Sequence, residues 1–384
     1  MNKLKQIWSH LNDLKYRYLT PRGRRDNLWR KTFNKAKLAE LQAKVHSVLS
    51  VDDHPEYPVN VGEGRGIVIC GGGVPLFSTG LVVVKLLRQH GCNLPIEWCY
   101  ADSGELPQDA INSLEAIDGV RCVNLDEVPA YKGINKRGFQ IKPMAICASS
   151  FQEVLFIDSD DLPIRDPSYL FETPEYQKTG ALIWKDFWQF KVGDCFTAPD
   201  KKVCLHRLLG IEAPEIGEFE FESGQLLINK AKHKKGMQMC LYMSLQSKDY
   251  HELSYGDKDC YALSFRATGE DYSLIEKSPG IVGKVSGNDE FEGYGMIQHD
   301  PAGRQTWIHM TIQAFDTKEG EWNAWVDSGA WVYIKHDPLC IGVRDQPNKA
   351  QALTDEIRRT QIIATDIWNE ILNDYNAVFK TFNP

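Results

Sequence analysis

From Gly66 to Asp158 the chain alternates short apolar runs with segments of helical periodicity, and no other feature narrows its possible folds as much. GIVIC (66–70), LPIEWCY (94–100), VRCVNL (120–125) and EVLFID (153–158) each have the length of a strand. Between them lie a helical pattern over about Thr79–His90, then LPQDAINSLEAI (106–117) and IKPMAICASS (141–150). Apolar strands separated by helices must be covered on both faces. The order therefore predicts an α/β fold with a Rossmann-like, mostly parallel sheet flanked by helices. Ligands on such sheets bind beyond the carboxyl ends of the strands. That places Gly71, Gly72 and Gly73, and Asp158-Ser159-Asp160, at the functional edge.

The flanking regions have a different texture. Leu4, Ile7, Trp8, Leu11, Leu14 and Tyr18 recur at helical spacing until Pro21 and Gly23 break the pattern, and a second helical stretch is expected over about Asp26–Leu49. VDDHPEYPVNVGEGRG is a linker by its Pro, Gly and acidic content. After residue 180, ALIWKDFW, ESGQLLI, GYGMIQ and TWIHM are expected strands, with a helix over Lys230–Leu245. A long amphipathic helix or helix pair is expected over about Ala352–Phe379. The organisation is thus a basic helical extension (1–50), a linker (51–65), a catalytic domain (66–345) and a C-terminal helical extension (346–384).

Charge is distributed unevenly. The formal net charge is −8, yet residues 1–50 hold twelve basic and three acidic side chains and the remaining residues sum to −17. An acidic body argues against a nucleic-acid binder, which needs a basic face for phosphates. A hydrophobic content of 42% excludes a disordered chain. The ten cysteines stand singly, with no C-x-x-C, and read as buried, reduced thiols of a reducing compartment rather than a disulfide framework. No run approaches the roughly 18 apolar residues of a spanning helix.

Four motifs carry candidate chemistry. In EVLFIDSDDLPIRDP (153–167) a buried strand ends in Asp158, Asp160 and Asp161, and carboxylates at i and i+2 on a turn can converge on one divalent cation; hard oxygen ligands suit Mg2+ or Mn2+. Read alone, D-x-D also fits a solvated turn. Glu222-Ser223-Gly224-Gln225 precedes an apolar strand and so faces a cleft at a strand edge, or simply forms a turn. Asp257 and Asp259 of YGDKD stand before an amphipathic helix, where helix capping is the competing reading. His299, Asp300 and His309 follow apolar runs, and such histidines are equally core residues.

In their order, GIVICGGG, LPIEWCYADSGEL, GFQIKPMAICASSFQEVLFIDSDDLPIRDP, TGALIWKDFW, FESGQLLINK, YGDKD and Q-H-D followed by WIHM resemble glycosyltransferase family 71. This is the fungal-type α-mannosyltransferase family of GT-A nucleotide-sugar transferases, and the resemblance runs from about Gly66 to Lys335. It implies a metal-dependent retaining transfer of a sugar, mannose from GDP-mannose being favoured, to a hydroxyl of a glycan or glycoprotein acceptor. By residue-wise correspondence, Asp158, Asp160 and His309 are the implied ligands of Mn2+ (or Mg2+). Gly71, Gly72, Gly73, Lys142 and Ser159 join the two aspartates on the donor side. Glu222, Asp186 and Gln225 match catalytic positions around the transferred sugar, and Ser223, Asp257 and Asp259 match the acceptor side.

Two other readings compete: a UDP-sugar-dependent transferase (xylose, galactose or glucose) of the same fold, and a catalytically inactive glycan-binding protein. Family members are typically Golgi proteins with an N-terminal anchor, and these residues hold none. The expectation is a cytoplasmic or peripheral-membrane protein, or one of the Golgi lumen where an anchor lies outside this sequence. Residues 1–25 are expected either to lie on an anionic membrane surface or to pack on the acidic body.

Overall fold

The computed structural model describes residues 33–134, 136, 138–190, 201–254, 256–285, 291–310, 340–343, 346–352 and 354–373. The helix expected over Leu4–Tyr18, with the membrane role considered for residues 1–25, lies outside them, as does the end of the C-terminal helix at Phe379.

The centre is a seven-stranded sheet of β1 (Arg65–Cys70), β2 (Ile96–Tyr100), β3 (Val120–Asn124), β4 (Glu153–Asp158), β6 (Ala181–Gln189), β7 (Phe219–Asn229) and β8 (Ser273–Leu274), in the order β3-β2-β1-β4-β7-β6-β8. β7 runs against both neighbours, β4 and β6, and every other pairing is parallel. The expected mostly parallel α/β sheet is present. Its strands are buried on both sides, as their composition requires. Ile67, Ile69, Leu155 and Ile157 face one core with the helices Gly73–Gln89 and Asp355–Asn373. Val68, Val154, Phe156, Leu226 and Ile228 face a second core with the helices Ile141–Ala148, Lys201–Leu209, Lys234–Leu245 and Cys260–Thr268. The helix Lys35–Leu49, opened by the Asn34 side chain on the amide of Lys37, docks on this second core through Leu38, Leu41, Val45 and Val48. None of the helices among the described residues is long and apolar enough to cross a membrane. Cys70, Cys92, Cys99, Cys122, Cys147, Cys204, Cys240 and Cys260 are free thiols, all buried except the half-buried Cys122.

A second sheet decides where the functional residues meet. It comprises β5 (Asp161–Pro163), β9 (Gly280–Val285), β10 (Phe291–His299), β11 (Gln305–His309), β12 (Cys340–Val343) and β13 (Gln346–Ala352), in the order β13-β12-β9-β10-β11-β5. The chain leaves the central sheet at Asp158 and enters this one at Asp161, so the D-S-D-D turn is the junction between the two. β11 pairs antiparallel with β5, His309 opposite Asp161, and the amide of Met310 donates to the carbonyl of Asp160 at 2.8 Å. β11 thereby carries His309 to the carboxyl end of β4.

Candidate active site

Three donor groups converge at that junction. His309 Nε2 lies 3.4 Å from Asp160 Oδ1 and 3.9 Å from Asp158 Oδ2. One ligand atom from each of Asp158, Asp160 and His309 falls within 4.8 Å of the others. The imidazole can reach this point because Gly224 lacks a side chain: a Cβ there would stand 2.6 Å from the Cε1 and Nδ1 atoms of the ring. On the other side, Glu222 Oε1 accepts the amides of Ser223 and Gly224, both at 2.8 Å, and lies 3.8 Å from His309 Nδ1.

Lys142, early in the helix Ile141–Ala148, closes the cluster from above. Its ammonium donates to Asp158 Oδ2 at 2.6 Å, lies 3.5 Å from the Ser223 hydroxyl and stands 3.8 Å from Asp257. Burial would lower its pKa, but Asp158 and Asp257 more than compensate and lift it above the ordinary lysine range. Burial drives the Asp158 carboxyl up to about 7, against Lys142 and with help from Asp160. His309 is moved the opposite way from a simple buried imidazole. Burial favours its neutral form, yet Asp160, Glu222 and Asp161 raise it well above the usual histidine value. Two half-buried carboxylates and an imidazole converging on one point mark a position that favours added positive charge. Carboxylate oxygens with one imidazole are a donor set for Mn2+ or Mg2+, and the residues fit such an ion.

A cavity of about 570 Å³ opens over the cluster. Its wall includes Asp158, Ser159, Asp160, His309, Glu222, Ser223, Asp257, Lys258 and Lys142, together with Gly71, Gly72, Leu76 and Glu105. The exposed ring of Phe139 also lines it, with the Lys142 ammonium 5.8 Å from the ring centroid. Gly71 and Gly72 serve close packing here. A Cβ on Gly71 would stand 2.6 Å from the Trp98 ring, and one on Gly72 would stand 2.1 Å from the Glu105 side chain.

Several sequence candidates sit elsewhere than the cavity wall. Gly73 already belongs to the first turn of the helix Gly73–Gln89. Asp186 is buried behind Lys258, which binds both Asp186 and, at 2.6 Å, Glu220. Burial and the charge of Glu222 raise the Asp186 carboxyl to about 6, with Lys258 opposing. Asp259 also points inward, to Lys202 and to the amide of Phe221 at 3.0 Å, and makes no capping bond to its helix. Gln225 is fully buried, and its amide meets no hydrogen-bond partner among the described residues. Asp161 is buried, neither of its carboxylate oxygens is hydrogen-bonded among the described residues, and burial raises its pKa well above the carboxylate range. Lys258, like Leu76, Glu105 and Phe139, is a wall residue outside the sequence candidates. Its signal was a lysine flanked by two acids in GDKD, which promised a buried counter-charge.

A family profile described as "Mannosyltransferase putative" matches residues 64–198 and 199–300. The chain is 29% identical over 315 residues to alpha-1,2-mannosyltransferase MNN21 of Candida albicans (strain SC5314 / ATCC MYA-2876), covering 68% of this chain and 47% of the relative. It is 26% identical over 280 residues to alpha-1,2-mannosyltransferase MNN2 of Saccharomyces cerevisiae (strain ATCC 204508 / S288c), covering 63% and 46%. The chain thus spans about half the length of the curated relatives it matches. Among solved structures it is similar to the galactosyltransferase LgtC with donor and acceptor sugar analogs, at 17% identity and a TM-score of 0.37, covering 55% of this chain and 73% of that one. A second likeness is to the glycosyltransferase GlyE of Streptococcus pneumoniae TIGR4, at 15% identity and a TM-score of 0.37, covering 84% and 64%.

Proposed function

The chain belongs to the mannosyltransferase family matched over residues 64–198 and 199–300, and from that premise we propose that it is a metal-dependent retaining glycosyltransferase using GDP-mannose and a glycan acceptor. The observation that carries this reading is the convergence of Asp158, Asp160 and His309 with Lys142 on one cavity at the carboxyl end of β4. The relatives are named α-1,2-mannosyltransferases, which supports mannose as the transferred sugar.

Breaking a sugar–phosphate bond leaves new negative charge on a nucleoside diphosphate. A divalent cation held by Asp158, Asp160 and His309 would supply Lewis-acid stabilisation of that charge. Lys142 adds a fixed positive charge beside the same oxygens, at no cost of reorganisation because Asp158, Ser223 and Asp257 already orient it. Lys258, locked by Asp186 and Glu220, places a second positive charge at the cavity wall. Leu76 and the Phe139 ring give the cavity wall apolar and aromatic surface that suits the flat nucleoside. The acceptor then enters on the side of Ser223 and Asp257. The acids there favour an anomeric centre that gains positive character.

Incubation of the purified chain with GDP-mannose and Mn2+ tests the reading. Release of GDP is expected, and it should vanish in Asp160→Ala. Full activity of that variant would sink the assignment, and turnover of UDP-sugars but not GDP-mannose would replace the donor. Binding of Mn2+ without any turnover would favour the inactive glycan-binding protein.

A further inference from the structure

The two ring nitrogens of His309 meet different surroundings. Nε2 faces Asp160 and Asp158 at 3.4 and 3.9 Å. Nδ1 is buried, makes no hydrogen bond among the described residues, and lies 3.8 Å from Glu222 Oε1. That oxygen is not free to swing, because the amides of Ser223 and Gly224 hold it at 2.8 Å each. The ring packs against the bare Cα of Gly224, where a side chain would exclude it. The separation is too short for a bridging water and about an ångström longer than a hydrogen bond, so a small rotation of the ring closes it.

We infer that Glu222 is a positioning residue for the metal ligand: its pinned carboxylate takes the Nδ1–H of His309 and so commits Nε2 to the cation. A ligating imidazole usually hands its second N–H to such a partner, which fixes both tautomer and ring orientation. The stretch Glu222-Ser223-Gly224 within β7 then has one job in three parts. Glu222 supplies the acceptor, the two amides aim it, and Gly224 makes room for the ring. Glu222 lines the cavity as well, but this role reaches the reaction through His309 rather than through the sugar.

The inference rests on the proposed metal-dependent reading, and titration of the full chain with Mn2+, followed by the electron paramagnetic resonance of free Mn2+, separates the two. In Glu222→Gln the dissociation constant should rise about tenfold to a hundredfold, the range for loss of such a partner. In a His309→Ala background the same change should add less than about twofold, because the residue through which Glu222 acts is gone. Wild-type affinity in Glu222→Gln, or an equal loss in both backgrounds, overturns the inference. If Glu222→Gln does not fold, Gly224→Ala decides. It drives a methyl against the ring while leaving all three donor side chains intact, so weakened Mn2+ binding is expected and unchanged binding overturns the ring's assigned place. A wild-type chain that binds no Mn2+ would instead remove the metal reading itself.

Discussion

Lys202 and Lys258 form a buried ladder of alternating charge with Asp186, Glu220 and Asp259. Lys258 joins Asp186 to Glu220, and Lys202 joins Glu220, at 3.1 Å, to Asp259. The ladder stands behind the cavity wall and sets the direction in which Lys258 points. Such groups are costly to bury singly, since each charge left unpaired loses its hydration without a replacement. We expect Lys202→Met to destabilise the fold by about 3–5 kcal/mol, because it leaves Asp259 in the interior without a counter-charge while Glu220 keeps Lys258. Denaturant unfolding measures this; a loss below about 1 kcal/mol would mean that the ladder is not desolvated. The acids of GDKD were legible in the sequence as chemistry-bearing groups. Their division of labour was not. Asp257 accepts the Tyr261 hydroxyl at 3.0 Å and lines the cavity, whereas Asp259, two residues on, faces the interior.

At the scale of elements, strands β1 to β4 follow their apolar runs to within one or two residues, because a strand covered on both faces has no other reading at that length. The departures have local causes. The helix expected from Thr79 begins at Gly73, since Pro75 falls in its first turn, where amides have no intrahelical acceptor and proline is tolerated. The helix expected from Lys230 begins at Lys234, because Asn229 first takes the amides of Ala231 and Lys232 into a turn. β10 ends in His299, a buried histidine whose carbonyl accepts from the Trp184 indole at 2.7 Å. Burial, with Lys277 assisting, lowers its pKa to about 4. The folded chain therefore refuses a proton that the unfolded chain takes up below the ordinary histidine value, so this residue's contribution to stability is lost as pH falls from about 6.5 to about 4. His299→Gln keeps the backbone bond and removes the titration. Urea unfolding at pH 7 and pH 5 should show a larger acid loss for the wild type than for the variant, and equal losses would contradict the shift.

At the scale of the whole molecule, the two sheets and the helices on both faces make one frame around the cavity, and ligand binding should register as global stability. A donor that binds only the folded state stabilises it by about 2.7 kcal/mol when present at a hundred times its dissociation constant. With Mn2+ present, GDP should raise the melting temperature more than UDP does, and Asp158→Asn should abolish the effect. A greater rise with UDP would reassign the base. That a two-faced, mostly parallel sheet forms, and that carboxylates crowd the end of β4, can be read along the chain. Both are local statements, written in apolar periodicity and in the residues that break it. That His309, about 150 residues further along, meets Asp158 and Asp160 while His299 does not follows from the packing of the two sheets. Tertiary packing likewise turned Asp186 and Asp259 inward to lysines and left Lys258 on the cavity wall. The physical reason is that alternation fixes which face a side chain takes. Which partner it meets there depends on the register of β11 against β5 and of β7 against β4 and β6, pairings between segments far apart in the chain.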